Sequence, residues 1–177
     1  MQQFLGVILW MGLDKKPRLS DYWRKSSLYW SEAAKIMTRN RFEMLLRVWH
    51  FSDNEACPTG DRLFKIQSVV DLLNKIFKKT VSHGDKVCID ETMIPFRGRL
   101  KFRQYIKGKK NKFGIKLFKL YLPGGYTYHA KIYCGSDKTE GVSVATKVVF
   151  ELMDQCLDKG VTLCTDNWYT SIELHEK

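Results

Sequence analysis

The chain has 177 residues, a formal net charge of +11, and a composition that is 44% hydrophobic and 13% aromatic. This composition excludes a disordered tail, because it provides enough apolar surface for a globular core. The charge favours nucleic acid or an anionic membrane surface over acidic small molecules, and of the two we expect nucleic acid. No apolar run reaches membrane-spanning length and no signal-peptide pattern is present, so we expect an intracellular protein without a membrane partner.

The five cysteines are odd in number and widely scattered, without a close C-x-x-C pair. In an intracellular chain this pattern predicts reduced, mostly buried thiols and not disulfides. His50 and Cys57 could form half of a metal site, but no second pair lies nearby, so we expect no zinc site in this chain. The cysteines are Cys57, Cys88, Cys134, Cys156 and Cys164.

Helical periodicity dominates the first 84 residues. Gln2–Leu13 is apolar almost all round and begins without a cap, which predicts a buried helix or a helix entered partway through. Thr38 and Asp61 each precede apolar residues at helical spacing, and both residue types cap helices well. We interpret residues 1–84 as a helical region for support, dimer contact or DNA docking. The apolar stripes are Phe42, Leu45, Leu46 and Trp49 after Thr38, and Ile66, Val69, Val70, Leu73 and Phe77 after Asp61.

The period changes from helical to alternating near residue 84, which predicts a domain boundary there. A strand ending at Asp90, a strand over 114–122 and a strand over 126–134 predict a three-stranded antiparallel meander, with a turn between the last two. The fold class is therefore α+β or α/β, with a helical region followed by a mixed sheet.

A helix and a strand follow the meander. Ser143 should cap the helix, and the strand over 161–165 should lie parallel to the strand that ends at Asp90, because a helical crossover precedes it. Thr170 and Glu173 have the spacing of a capping box, so a further helix is expected to open there.

Asp90 and Asp166 are candidate metal ligands. Each follows one of the two strands expected to be parallel neighbours, and α/β sheets usually hold ligands at the carboxyl ends of such strands. Two carboxylates there can hold Mg²⁺ or Mn²⁺, which suit phosphodiester chemistry. The alternative is that both aspartates cap turns or pair with nearby basic residues. We interpret Glu91 as an ion-pairing or outer residue, not as a metal ligand.

A strongly basic run follows the first carboxylate. From Arg97 to Lys119 the sequence contains no Asp or Glu, and aromatic residues are interleaved with the charges. This predicts binding to DNA mainly through phosphates, because these side chains lack the fixed arrangement that base readout needs. The alternatives are a solvated basic face or, at 107–112, a nuclear import signal. The candidate DNA-binding residues are Arg97, Arg99, Lys101, Arg103, Lys107, Lys109, Lys110, Lys112 and Lys116, with Lys119 at the end of the run.

Three motifs make the sequence resemble piggyBac-type transposases and their domesticated relatives. They read VCIDETMIPFRGR from residue 87, FGIKLFKLYLPGGYTYHAKIYCG from residue 113 and VTLCTDNWYTS from residue 161. The resemblance covers nearly the whole chain. It implies a helical dimerisation and DNA-binding region over 1–84 and a ribonuclease-H-like catalytic core over 85–177, with the sheet incomplete at the C-terminus.

The resemblance also implies a chemistry. Such enzymes use three aspartates and Mg²⁺ or Mn²⁺, and Asp90 matches the first aspartate while Asp166 matches the second. The family's third aspartate and cysteine-rich zinc-binding tail have no counterpart in this sequence, so we expect the chain alone to be unable to cut DNA. The complete protein would cut and paste DNA at TTAA targets through a hairpin intermediate, as a nuclear homodimer.

Two classes of function follow from the resemblance. One is a metal-dependent DNA transposase, which the presence of Asp90 and Asp166 favours for the parent gene. The other is a domesticated, catalytically inactive DNA-binding or chromatin-associated protein, which the truncated sheet favours for the chain as given. A non-functional remnant is a third possibility.

Overall fold

The computed structural model describes residues 1–135 and 143–176. The chain forms two compact units, which divide between His50 and Phe51. The hydrophobic periodicity of the sequence changes later, near residue 84. The two positions differ because the helix Phe64–Thr80 packs against the sheet and so belongs to the second unit. None of the helices in the described ranges is long and apolar enough to cross a membrane. The roles assigned to residues 1–84 and 85–177 stay predictions.

The first unit is built from short helices around an aromatic core. Thr38 caps the helix Arg39–Val48 as predicted, since its hydroxyl oxygen accepts a hydrogen bond from the Arg41 N–H at 3.4 Å. The ring of Phe42 lies 5.2 Å from that of Phe4 between centroids, and Phe4 is fully buried. The elements are α1 (Gln2–Leu13), a 3-10 helix at Leu19–Trp23, another at Ser27–Tyr29, α2 (Ala33–Ile36) and α3 (Arg39–Val48).

Helix α1 is buried on one side and exposed on the other. The prediction of a buried helix is therefore wrong for the exposed side. Phe4 and Val7 face the core, whereas Leu9 is 74% and Leu13 is 84% exposed. A helix that is apolar all round has no preferred face, and the first unit provides packing partners for only one side of it.

The second unit contains a five-stranded mixed sheet. Asp61 precedes its first helix, and its Oδ1 accepts hydrogen bonds from the N–H groups of Leu63 and Phe64. The last helix is capped by Ser171 and not by Thr170, which corrects the predicted capping box by one residue. The elements are α4 (Phe64–Thr80), β1 (Lys86–Pro95), β2 (Gln104–Tyr105), β3 (Phe113–Tyr121), β4 (Thr127–Ile132), α5 (Val144–Met153), β5 (Thr162–Cys164) and α6 (Ile172–His175).

The strand order is β2–β3–β1–β5, with β4 also paired to β3. Strands β1, β3 and β4 form the predicted antiparallel meander. Ser143 caps α5, and β5 runs parallel to β1 with Cys88 opposite Cys164. The predicted mixed sheet with a parallel strand after the crossover helix is therefore confirmed, in the arrangement expected of a ribonuclease-H-like core.

The core of the second unit orients the side chains of β1. Val87 and Ile89 point into a buried cluster with α5 and are almost fully inaccessible. Because successive side chains of a strand point to opposite faces, Cys88 and Asp90 lie on the exposed face. The cluster also contains Phe118, Leu120, Leu122, Tyr128, Ala145, Val148, Val149, Leu152, Met153, Cys156 and Tyr169.

Helix α4 covers part of the outer edge of β4. The side-chain amide of Asn74 donates to the carbonyl of Ala130 and its oxygen accepts from the Ala130 N–H, each at 2.9 Å. The Tyr126 hydroxyl donates to the carbonyl of Phe77 at 3.1 Å. Asn74 thus satisfies backbone groups that an edge strand would leave unpaired.

Candidate metal centre and nucleic-acid interface

The register of β1 and β5 places Asp90 beside Asp166. Cys88 and Cys164 are directly paired, and each aspartate follows two residues later along its own chain segment. Strand β1 does not end at Asp90 as predicted but continues to Pro95, because β3 pairs with it along that whole length. Strand β5 ends at Cys164, so the edge of β1 next to Asp90 faces the loop that carries Asp166.

Three carboxylates converge at this edge. One oxygen from each of Asp90, Glu91 and Asp166 lies within 4.8 Å of the others. Glu91 was interpreted as an ion-pairing or outer residue, and the signal for its place here was the acidic doublet that it forms with Asp90. Glu91 also forms the expected ion pair, with Lys109 Nζ 3.3 Å from its carboxylate. The candidate centre therefore contains one more carboxylate than the two predicted from the sequence.

Backbone hydrogen bonds orient both aspartates. Asp90 Oδ1 accepts from the Glu91 N–H at 2.7 Å, and Asp166 Oδ1 accepts from the Trp168 N–H at 3.0 Å. Asp166 therefore caps a turn, as the alternative interpretation held, while also facing Asp90. Neither aspartate forms an ion pair within residues 1–135 and 143–176, so their negative charges are not neutralised there by a protein cation.

The donor set fits a hard divalent cation. All three groups are carboxylates, and oxygen ligands are those that Mg²⁺ and Mn²⁺ prefer. The aspartates are exposed, so an ion could reach them and keep several of its waters. The geometry supports a divalent-cation site without selecting between the two ions.

A buried hydroxyl lies beneath the carboxylates. Tyr169 is fully buried, and its hydroxyl has no hydrogen-bond partner among the described residues. Burial raises the pKa of Tyr169 far above its ordinary value, and the negative charges of Glu91, Asp90 and Asp166 raise it further. The phenol is therefore protonated at neutral pH, and no pattern in the sequence indicated its position.

We expect Tyr169→Phe to raise the free energy of unfolding by about 1 kcal/mol when no divalent ion is present, because a buried hydroxyl without a partner carries a desolvation cost. Chemical denaturation in EDTA measures this. Tyr128→Phe is the matched control, since the Tyr128 hydroxyl donates to Gln155 at 3.4 Å and its removal should not stabilise the fold. A less stable Tyr169→Phe protein would show that the hydroxyl has a favourable partner.

An exposed tryptophan flanks the carboxylates. Trp168 is 47% exposed and stacks on Phe118, with ring centroids 5.6 Å apart and planes at 15°. Lys116 Nζ lies 4.7 Å from the centroid of each ring. This cation–π arrangement holds Lys116 on the aromatic pair, so the lysine has a structural contact as well as its predicted contact with DNA.

The predicted DNA-binding residues occupy two loops and strand β3. Arg97, Arg99, Lys101 and Arg103 lie between β1 and β2, and Lys107, Lys109, Lys110 and Lys112 lie between β2 and β3. Most are exposed, but Arg103 donates to the carbonyls of Arg97 and Gly98, and Lys109 pairs with Glu91. The second loop therefore touches the carboxylate cluster, which the sequence did not indicate.

The cysteines differ from the expectation of mostly buried thiols. Only Cys156 is buried, whereas Cys88 and Cys164 are exposed. Partial loss of hydration, followed by the neighbouring Cys164 thiol, raises the pKa of the Cys88 thiol. Their positions on the sheet surface follow from strand alternation, because Val87 and Ile89 occupy the core face.

Comparisons with known proteins identify the family. A family model described as transposase IS4 matches residues 1–177. Human PiggyBac transposable element-derived protein 3 is 27% identical over 98% of this chain and 30% of its own length, and human PiggyBac transposable element-derived protein 2 is 23% identical over 96% of this chain and 30% of its own length. The cryo-EM structure of a piggyBac transposase synaptic complex with hairpin DNA matches with a TM-score of 0.88 and 28% identity.

That structural match covers 98% of this chain and 37% of the solved transposase chain. The chain thus spans about a third of the length of the relatives it matches. Its mixed sheet and its sequence motifs agree with the same assignment. The chain belongs to the transposase IS4 family and is similar to piggyBac-type proteins.

Proposed function

We propose that this chain is part of the catalytic core of a piggyBac-like DNA transposase, which cleaves and transfers DNA strands with a divalent cation. The observation that carries the proposal is the convergence of Asp90, Glu91 and Asp166 within 4.8 Å in a chain of this family. The matched transposase structure is a complex with hairpin DNA, which supports DNA as the substrate.

The three carboxylates would hold the cation. Asp90 and Asp166 are the principal ligands in this proposal, since backbone N–H groups already fix their orientation. Glu91 completes the set, and its pairing with Lys109 offsets part of the repulsion among the carboxylates. Mg²⁺ or Mn²⁺ would stabilise charge that develops on the phosphodiester oxygens.

The basic loops would hold the DNA backbone beside that cation. Exposed lysine and arginine side chains neutralise phosphates and position a duplex without reading its sequence. Lys109 lies against Glu91, so a phosphate bound by this loop would be close to the carboxylates. DNA binding, assembly as a homodimer and a nuclear location are parts of the same proposal for the complete protein.

A second candidate is a domesticated, catalytically inactive DNA-binding protein. It is supported by the human relatives, which are named as transposable element-derived proteins. Such a protein would keep the basic loops and the sheet while losing strand transfer.

A strand-transfer assay on the protein that contains this chain distinguishes the two candidates. The substrate is DNA with the inverted repeats that flank its gene, assayed in Mg²⁺, Mn²⁺ or EDTA. Joining that requires a divalent ion supports the transposase. DNA binding without joining in either ion supports the domesticated protein, and absence of DNA binding contradicts both.

A further inference from the structure

Cys88 and Cys164 are brought together by the fold from positions far apart in the sequence. They are directly paired in the parallel ladder of β1 and β5. Neighbouring strands lie about 4.8 Å apart, which is within the range of about 4.4–6.8 Å that Cα atoms of a disulfide adopt. The backbone therefore places the two residues at a separation that a disulfide can bridge.

The two thiols are also accessible and adjacent. Both residues are exposed, and their direct pairing in parallel strands places the two thiols side by side on one face of the sheet. The other thiols have different surroundings: Cys156 is buried, and Cys57 contacts the carbonyl oxygens of Pro58 and Asp61. An oxidant in solution can therefore reach the Cys88–Cys164 pair.

The pair adjoins the carboxylate cluster. Cys88 and Asp90 share the exposed face of β1, and they are separated by two residues, or about 7 Å along the strand. Asp166 likewise lies two residues after Cys164. A disulfide brings Cβ atoms to about 3.8 Å, which is closer than the spacing of the strands, so bond formation would shift the chain segments that carry the aspartates.

We propose that Cys88 and Cys164 are a reversible dithiol site, which a hydroperoxide oxidises to a disulfide and which, once oxidised, weakens divalent-cation binding by the adjacent carboxylates. The effect on the cation rests on the function proposed above. Transient disulfides of this kind occur in redox-sensing proteins of reducing compartments.

The chemistry balances with hydrogen peroxide as oxidant. One thiolate attacks a peroxide oxygen, which gives a sulfenic acid and releases hydroxide. The second thiolate attacks the sulfenic sulfur, forms the S–S bond and releases a second hydroxide. The two thiol protons convert both hydroxides to water. A dithiol reductant restores the pair by exchange.

Mass spectrometry of the 177-residue chain tests the site. After limited peroxide treatment and alkylation, we expect the chain to lose the mass of two hydrogen atoms and to carry two fewer alkyl groups, with Cys88 and Cys164 linked in one peptide pair. Cys88→Ser and Cys164→Ser should each abolish this change, whereas Cys57→Ser should retain it. Independent oxidation of the two thiols without a link, or a link between other cysteines, would overturn the dithiol site.

The affinity for Mn²⁺ tests the coupling. Titration followed by electron paramagnetic resonance should show affinity about tenfold lower in the oxidised chain and restored by dithiothreitol, as for other perturbations next to metal ligands. Cys88→Ser should bind Mn²⁺ equally before and after peroxide. Equal affinity of the oxidised and reduced wild type would overturn the coupling. Absence of Mn²⁺ binding by the reduced wild type would refute both the proposed cation site and the coupling. The disulfide itself is tested independently by the mass spectrometry described above.

Discussion

Asp90→Asn and Asp166→Asn are each expected to lower the rate of strand transfer by the complete protein by about a thousandfold, which corresponds to about 4 kcal/mol of transition-state stabilisation. The amide keeps the shape of the side chain but removes the negative charge that attracts the cation. Each variant should also lower the affinity of the 177-residue chain for Mn²⁺. Single-turnover strand transfer and Mn²⁺ titration measure the two effects.

The control for these variants is Asp85→Asn. Asp85 is exposed and immediately precedes Lys86, the first residue of β1. This variant should leave strand transfer, Mn²⁺ affinity and DNA affinity unchanged. DNA affinity should also be retained in Asp90→Asn and Asp166→Asn, since the proposed phosphate contacts come from the basic loops. Full strand transfer by either variant would remove that aspartate from the catalytic set.

Glu91→Gln separates the two roles of Glu91. A ligand role predicts weaker Mn²⁺ binding that persists at high salt, whereas a role limited to the ion pair with Lys109 predicts a purely electrostatic loss that salt screens. We expect weaker binding, by less than in the aspartate variants, since Glu91 is partly neutralised by Lys109. Lys109→Gln should have the opposite effect on Mn²⁺ affinity.

Replacing Lys107, Lys109, Lys110 and Lys112 together with Gln is expected to flatten the salt dependence of DNA affinity. Each phosphate contact contributes about 0.9 to the slope of log affinity against log salt, so loss of four contacts would reduce the slope by up to about 3.6. Fluorescence anisotropy with a duplex oligonucleotide at several salt concentrations measures the slope.

The matched control replaces Lys75, Lys79, Lys86 and Lys159, which are exposed lysines outside the basic run. Both sets remove the same charge, so a general effect of net charge would alter both slopes equally. A contact surface at the β2–β3 loop predicts a much larger change for the first set. Equal slopes for wild type and the loop variant would assign the basic run to a solvated face or an import signal.

The sheet could be predicted because its determinants are local. Alternation in Val87 and Ile89, the cap at Ser143 and the crossover rule together define the meander and the parallel strand. The end of β1 could not be predicted, since β1 continues past Asp90 only because β3 supplies a partner as far as Pro95. The attachment of α4 to the sheet also depends on a distant contact, between Asn74 and Ala130.

The candidate site was predictable in part for the same reason. Topology was sufficient to place Asp90 beside Asp166. The Glu91 carboxylate lies close to both aspartates at the edge of β1 beyond its pairing with β5. The Cys88–Cys164 pair depends on the register between β1 and β5, which the sequence pattern alone does not specify. Tyr169 was missed because a buried aromatic residue in a polar motif has no periodic signal.

The contact between Asn74 and Ala130 has a consequence for self-association. An open strand edge is a template on which another molecule can add a strand, and such addition leads to aggregation or exchange of segments between copies. The Asn74 amide occupies both backbone groups of Ala130 in the manner of a neighbouring strand. Helix α4 thus closes the β4 edge at Ala130 to the addition of a strand from another molecule.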